Sequence, residues 1–501
     1  MLFNSLAFLL IYAPIVLVGF YLLGARSVNK AVAWLGVLSM VFYAVWYPPH
    51  TLILLGSIVV NFFAGLLISR AGPDDRVSRK MLMLLTVGLN LLALCYFKYF
   101  VFFGAMAVAA LELPWTISNI ALPLGVSFFT FTQIAYLLDT YEGKVNEHNF
   151  SRYLLFVTYF PHLIAGPIIH HKDVMSQFSK HDTFRFNPVH FGLGGVLFII
   201  GLFKKVVLAD NIAVFVAPAF NLAEIGAPLG QGASWAGALG YTVQLYFDFS
   251  GYSDMAIGLS MMLNVRLPFN FDSPYKARNI IEFWRRWHIS LSTFLRDYLY
   301  IPLGGNRLGA GRRYANMGIT MILGGLWHGA GWTFIAWGVL HGVYLIVNHF
   351  WREHAPSSML RRTKWFSALC WLLTLLAVII AWVFFRANTI GGALHMLVAM
   401  SGYGNAPEAP IVLASGTAIN VSLALAAIMP MMAITMWAPN SQQIASWLLA
   451  KPSIYLHEKH GNTEVALWNA VSLKWALTLG VVLTAALLCI SRPSQFLYFN
   501  F

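Results

Sequence analysis

One histidine stands out by its setting. His328 lies in Ile322-Leu323-Gly324-Gly325-Leu326-Trp327-His328-Gly329-Ala330-Gly331-Trp332, inside the apolar run 315–350. An ionisable side chain in a membrane span costs at least ~2.5–3.5 kcal/mol when charged and unpaired, so it is kept for a role or a partner. Imidazole titrates near neutrality and acts as a general base in its uncharged form. The flanking glycines permit close backbone approach, a bend, or room for another molecule's chain. The plainer reading is a histidine bonded to a carbonyl that ties two helices, and position alone leaves both open. His288, in Arg285-Arg286-Trp287-His288-Ile289-Ser290, falls on the apolar half of a helical pattern beside Trp284 and Leu295. That favours a satisfied core histidine, with a supporting role near a site as the alternative.

Carboxylates and arginines come next. Asp248 and Asp254 sit in Tyr246-Phe247-Asp248-Phe249-Ser250-Gly251-Tyr252-Ser253-Asp254, and Asp210 follows Lys204 and Lys205. Each is expected to pair with arginines such as those at 285–313 or to stay protonated, with structural pairing favoured over chemistry. From Lys276 to Arg313 there are eight basic residues and two acidic ones. Arg285 and Arg286 are suited to bidentate phosphate contacts, while lipid headgroups are the plainer partner. Asn306, with Gly304, Gly305, Gly309 and Gly311, makes a turn beyond them. There is no GxSxG or Gly-Asp-Ser nucleophile, no Walker loop, no HExxH and no GxGxxG after a strand, so those chemistries lack support. His170-His171 and His457-Glu458-Lys459-His460 lack the spacing of a helical metal pair, and no metal is expected. Cys95, Cys370 and Cys489 sit in apolar runs without a CxxC and read as small buried hydrophobes.

The elements that must hold these residues follow from composition. Of 501 residues, 59 % are hydrophobic and 10 % charged, and mean hydropathy is +0.68. A soluble domain carries about 25 % charged residues, so ordinary water-soluble folds are excluded. The net charge of +13 reads as positive-inside bias and contact with anionic lipid rather than nucleic-acid binding. Apolar runs at 5–23, 31–48, 51–69, 81–111, 119–138, 190–220, 233–263, 315–350, 365–386, 411–437 and 472–490 predict an all-α polytopic protein of about 10–12 spans, some of them broken. The first run lacks a basic leader and reads as a retained helix starting outside the cytoplasm. Loops 24–30 and 70–80 are basic and Tyr47-Pro48-Pro49-His50 is not, which fits in, out, in. Arg312 and Arg313 before the 315–350 run and Arg352, Arg361, Arg362 and Lys364 after it break that parity. Either the run crosses twice through a break near Gly329-Ala330-Gly331, or one basic loop lies outside. Loops 139–152 and 451–470 are polar but short, so residues 1–501 read as a single domain.

Within 264–313, Ile280, Trp284, Trp287, Leu291, Leu295 and Tyr298 share one face of an ideal helix, and Glu282, Arg286, Thr293 and Asp297 the other. That predicts one amphipathic interfacial helix with a Glu282–Arg286 pair.

The runs Glu282 through Ser292, Leu295 through Arg307 and Gly325-Leu326-Trp327-His328-Gly329 closely resemble the membrane-bound O-acyltransferase family. The resemblance is to its bacterial branch, which includes the alginate O-acetylation membrane subunit and the D-alanine transfer protein of teichoic acids. Leu122 through Phe129, Phe160 through Pro167, Lys204–Asn211, Asp248–Asp254 and Phe496-Leu497-Tyr498-Phe499 are similar too, so it is clearest over 120–350. His162 stands where glutamine is expected in an alginate-type member, and Ala277-Arg278-Asn279 varies among subgroups. The resemblance implies that His328 is the catalytic histidine and His288 the second motif histidine. It also implies interfacial or re-entrant helices and a central tunnel, which Trp327 or Trp332 would wall. Arg285, Arg286, Asp210, Asp248 and Asn306 become binding or supporting positions.

The expected activity is acyl transfer from cytoplasmic acetyl-CoA, with no permanently bound cofactor, to a hydroxyl presented from the far side. The destination is an exopolysaccharide of alginate or cellulose type, through a periplasmic SGNH-type partner at the bacterial inner membrane. D-alanyl or other acyl transfer to an envelope polymer is the alternative. A transporter of a polysaccharide precursor or ion, and a scaffold recruiting a soluble acetyltransferase, are readings of other classes.

Overall fold

Large apolar side chains face outward along much of this chain. In the computed structural model, which describes residues 1–71, 75–354, 363–403, 407–408, 410–413, 415–448, 473–490 and 497, the helix Arg76–Ala110 exposes Leu84, Leu85 and Leu92 at 55, 66 and 68 %. A face like that is stable only against an apolar solvent. Among the described residues, five helices are long and apolar enough to cross a membrane: Pro48–Arg70, Arg76–Ala110, Pro188–Glu224, Trp332–His354 and Lys364–Arg386. The pair Val421–Trp437 and Ser441–Trp447 passes the same test together but is bent by 58°, and four shorter apolar helices span Phe8–Gly24, Val28–Ala44, Ile390–Met400 and Leu473–Cys489. This is an all-helical multi-pass membrane protein. The helix Gln231–Met262 is long, but Gln244, Asp248, Ser250, Ser253 and Asp254 dilute its apolar character. Among the described residues the strands are one antiparallel ribbon, Ile411–Val412 with Ala418–Ile419. Arg361, Arg362, loop 451–470 and the terminal aromatics Phe496, Tyr498 and Phe499 lie outside the described residues.

Packing divides the chain into two compact units, interleaved in sequence. The first comprises Met1–Leu202, Tyr252–Phe269 and Ala445–Arg492. It includes α1 (Ala13–Gly24), α2 (Val28–Ala44), α3 (Pro48–Arg70), α4 (Arg76–Ala110) and α5 (Val126–Tyr141). Asn61 and Asn90 exchange amide hydrogen bonds of 2.7 and 3.1 Å between α3 and α4. Gln133 of α5 donates to Ser57 of α3 at 2.9 Å. With lipid outside, such polar pairs and close packing hold apolar helices together.

The second unit comprises Phe203–Gly251, Asn270–Ile444 and Pro493–Phe501, and it contains every residue singled out for chemistry except Asp254. The 280–298 stretch is not one amphipathic helix. It forms α6 (Ile280–Arg286) and α7 (Ile289–Leu295), because His288 between them is left-handed, at φ 43° and ψ 54°. The Glu282–Arg286 pair does form, at 2.9 Å. Along the 315–350 run, α8 (Gly309–His328) and α9 (Trp332–His354) fold back on each other at 329–331, followed by α10 (Lys364–Arg386). The hairpin decides the parity question for the described residues: Arg313 at the start of α8 and Glu353 at the end of α9 form an ion pair of 2.6 Å, so Arg312 and Arg313 share one side with Arg352. A Cβ at Gly338 would stand 2.5 Å from the Met321 carbonyl oxygen, and one at Gly325 would run into the Phe334 carbonyl. Only glycine lets the two backbones approach so closely. The cysteines differ from expectation, since Cys95 is exposed and Cys370 and Cys489 are partly so; Cys95 looks outward from the apolar face of α4.

Candidate active site

The break that isolates His288 is built locally. Asn279 caps α6 by accepting from Glu282 N at 2.9 Å, and Glu282 reaches back to Arg278 N at 2.9 Å, a reciprocal arrangement that fixes the helix start. On the far side, Asn270 Oδ1 accepts from Ser290 N at 3.1 Å and Ser290 Oγ at 2.6 Å, while Ile289 N donates to the Asn270 carbonyl at 3.0 Å. These bonds hold His288 in a conformation that costs a non-glycine residue about 1–2 kcal/mol. Its ring is fully buried, edge-on to Phe249 at 4.7 Å.

His328 is the last residue of α8 and is 5 % exposed. Its imidazole is boxed by Trp327, Trp337 and Phe385 at 4.9, 5.1 and 5.1 Å between ring centres. Gly329 ends the helix where any side chain would collide with the Phe334 ring. The two histidine rings are 6.5 Å apart, so one small reacting group can touch both.

Two cavities lie toward the two ends of α9 and α10. One, of about 1370 Å³, carries Lys276, Arg278, Arg285, Arg286, Arg352 and Lys364 against Asp272 and Glu282. Arg286 is anchored by Glu282 and by the Asp272 carbonyl at 3.0 Å. Burial, then the neighbouring Arg286 guanidinium, lowers the Lys276 ammonium below its ordinary range while Asp272 opposes. The other cavity, of about 910 Å³, is lined by Asp210, Gln244, Thr333, Phe334, Phe385, Arg386 and Asn388. The basic bowl takes residues from the end of α9 and the start of α10, and the second cavity the start of α9 and the end of α10. From Thr333 to Arg352 α9 rises about 28 Å, close to the ~30 Å hydrocarbon thickness. The cavities therefore face opposite sides of a membrane that these helices cross. Phe385 both lines the second cavity and packs on His328. Toward the bowl stand Trp284, His341 and Trp337 in successive contact, at 5.2 and 4.7 Å between centres.

Asp210 and Asp248 pair with a lysine rather than with arginines. Lys205 Nζ lies 2.6 Å from Asp210 and 2.6 Å from Asp248, and Asp248 also accepts from Leu497 N at 3.1 Å. Residues five apart meet here because Lys204–Ala209 is π-helical, a winding that closes i to i+5 and that an α-helical wheel does not bring together. Two further expected positions are exposed. Trp332 is 52 % exposed at the start of α9, while Trp327 and Trp337 are the tryptophans that pack on His328. Asn306 lies exposed in the turn after Ile301, whereas the buried amide nearby is Asn316, donating to the Gly305 carbonyl at 3.0 Å. Sequence reasoning missed Trp337, Phe385 and His341. The criterion that singled out His328, an ionisable side chain in an apolar run next to glycine, applies equally to His341-Gly342.

The model of the membrane-bound O-acyltransferase family, MBOAT, matches residues 80–389. A peptidoglycan O-acetyltransferase of Helicobacter pylori is 41 % identical over 429 residues, covering 80 % of each chain. A probable alginate O-acetylase of Pseudomonas aeruginosa is 43 % identical over 410 residues, 81 % of this chain and 75 % of that one. A teichoic acid D-alanyltransferase of Streptococcus thermophilus is 30 % identical over 285 residues, 52 % of this chain and 68 % of its own.

Proposed function

The chain belongs to the membrane-bound O-acyltransferase family and is an O-acyltransferase, and from that premise we propose that it moves an acetyl group from acetyl-CoA to a hydroxyl arriving from the opposite side of the membrane. The observation that carries the reading is the His328–His288 pair, flanked by cavities at the two ends of α9 and α10. The basic bowl takes the coenzyme's phosphates, with Arg285 and Arg286 as its forked donors. Its excess of arginine and lysine supports reading that side as cytoplasmic and the membrane as a bacterial inner membrane. The hydroxyl enters by the second cavity. Its oxygen bonds to the thioester carbon as its proton passes to a ring nitrogen of His328. The tetrahedral oxyanion then collapses, the carbon–sulfur bond breaks, and the departing thiolate takes the proton from the imidazolium. Such proton transfer contributes ~10²–10⁴-fold, and positioning between fixed aromatic walls supplies more.

Acetyl is preferred over D-alanyl because the relatives named for O-acetylation match about four-fifths of this chain at 41–43 % identity, against 30 % over half for the D-alanyltransferase. The final acceptor is a cell-envelope polysaccharide, reached through an SGNH-type partner outside, since this chain has no Gly-Asp-Ser nucleophile. An acyltransferase that works in this way needs neither the transporter nor the scaffold reading. The test is radiolabelled acetyl-CoA with purified His328→Ala protein in nanodiscs: a folded variant should lose label transfer by ~10²-fold or more, and transfer at the wild-type rate would refute the assignment.

A further inference from the structure

Two buried N–H groups lie between the basic bowl and His328. Trp284 donates from its indole nitrogen to His341 Nδ1 at 3.2 Å. An indole N–H only donates, so Nδ1 bears the lone pair and the neutral ring carries its proton on Nε2. His341 is fully buried and Trp337 is 1 % exposed. Neither His341 Nε2 nor Trp337 Nε1 has a hydrogen-bond partner among the described residues. A donor kept dry and unpaired is a standing cost that calls for an explanation.

Their placement supplies one. Trp337 packs on His328 at 5.1 Å, and His341 packs on Trp337 at 4.7 Å. The two lie one turn apart on α9, a rise of about 6 Å. Trp284 is on α6, whose Ile281, Glu282 and Arg285 line the bowl. An acyl donor reaching from the bowl toward His328 passes His341 first and Trp337 second. In a pantetheine thioester the thioester carbonyl and the first amide carbonyl are separated by sulfur, two methylenes and a nitrogen, an extended span of ~6 Å at ordinary bond lengths. The two rings are in contact, at 4.7 Å between centres, so two donors in succession stand before two acceptors in succession.

We propose that Trp337 Nε1–H and His341 Nε2–H receive the thioester carbonyl and the adjacent amide carbonyl of a pantetheine-borne acyl donor. His341 then acts as a specificity-determining contact for the donor arm, with its tautomer set by Trp284. Trp337 places the carbonyl carbon beside His328 and gives the developing oxyanion a hydrogen bond. This rests on the reading of the bowl as the acyl-CoA side.

The experiment compares kcat/KM for thiol release from acetyl-CoA, S-acetylpantetheine and S-propyl thioacetate, which lacks the amide, using the full chain in nanodiscs. Wild-type protein is expected to prefer S-acetylpantetheine over propyl thioacetate by about tenfold. His341→Phe should lose most of that preference while leaving propyl thioacetate within about twofold. His341→Gln, which keeps a donor, should retain it. Trp337→Phe should lower kcat on all three donors alike. An equal loss on every donor in His341→Phe, or no preference in wild-type protein, overturns the proposal. The wild-type comparison decides even if no His341 variant folds. Turnover of acetyl-CoA with unchanged preference in His341→Phe sinks this inference alone, whereas wild-type protein that turns over none of the three sinks the acyl-donor reading and the inference with it.

Discussion

Three glycines on one helical hairpin should behave differently when each receives a single methyl group. At Gly338 a Cβ would sit 2.5 Å from the Met321 carbonyl oxygen and 3.0 Å from Ile322 Cα, whereas at Gly318 nothing lies within 4 Å. Ordinary contact begins near 3.4 Å, so Gly338→Ala must open the α8–α9 crossing by about 0.9 Å or bend α9 by as much. Trp337 precedes that position and forms one wall of the His328 box. A displacement of about 1 Å in catalytic geometry costs on the order of 10²-fold in rate. The stability change is small by comparison: overpacking costs about 1–3 kcal/mol, and alanine recovers about 1 kcal/mol through helix propensity. Acetyl transfer from labelled acetyl-CoA, measured beside thermal unfolding in the same detergent, separates the two. Gly338→Ala is expected to stay folded and lose at least tenfold in kcat, with Gly325→Ala alike and Gly318→Ala within twofold. Wild-type turnover in Gly338→Ala, or equal losses at 338 and 318, would show that this crossing does not set the site.

Lys205→Met leaves the buried Asp248 and the partly buried Asp210 without their cation, and loss of one partner of a buried pair costs about 3–5 kcal/mol; the double variant Lys205→Met/Asp248→Asn should recover part of it in the same unfolding assay. Replacing Arg285 and Arg286 together by Gln should raise KM for acetyl-CoA by at least about tenfold and leave S-acetylpantetheine, which lacks the nucleotide phosphates, within twofold; equal changes on both donors would remove the arginines from phosphate binding. Asn270→Ala takes away the acceptor shared by Ser290 N and Oγ, so it should destabilise by about 1–3 kcal/mol and lower kcat more than it raises KM, because the turn that aims His288 loosens.

The helical character was legible because lipid demands long apolar runs and permits few charges, and the break at 329–331 was legible because three small residues interrupt one such run. The Glu282–Arg286 pair followed from its spacing alone. The left-handed turn at His288 was not: a helical wheel assumes continuity, and what holds the turn is Asn270, bonded to Ser290 twenty residues further along the chain. Lys205 escaped for a related reason, since π-helical winding changes which residues share a face. Trp332 and Trp337 look alike in sequence, and only the direction in which α9 leaves the hairpin decides which of them meets His328. His341 was within reach of the reasoning applied to His328.

Two hollows at opposite ends of the same pair of helices, with buried imidazoles between those ends, carry a consequence for traffic. On the acyl-CoA reading proposed above, a nucleotide-bearing carrier held in the basic bowl would have no need to follow its cargo, and only the acyl fragment would change sides. Transfer of that kind would draw its driving force from exchanging a thioester for an oxygen ester.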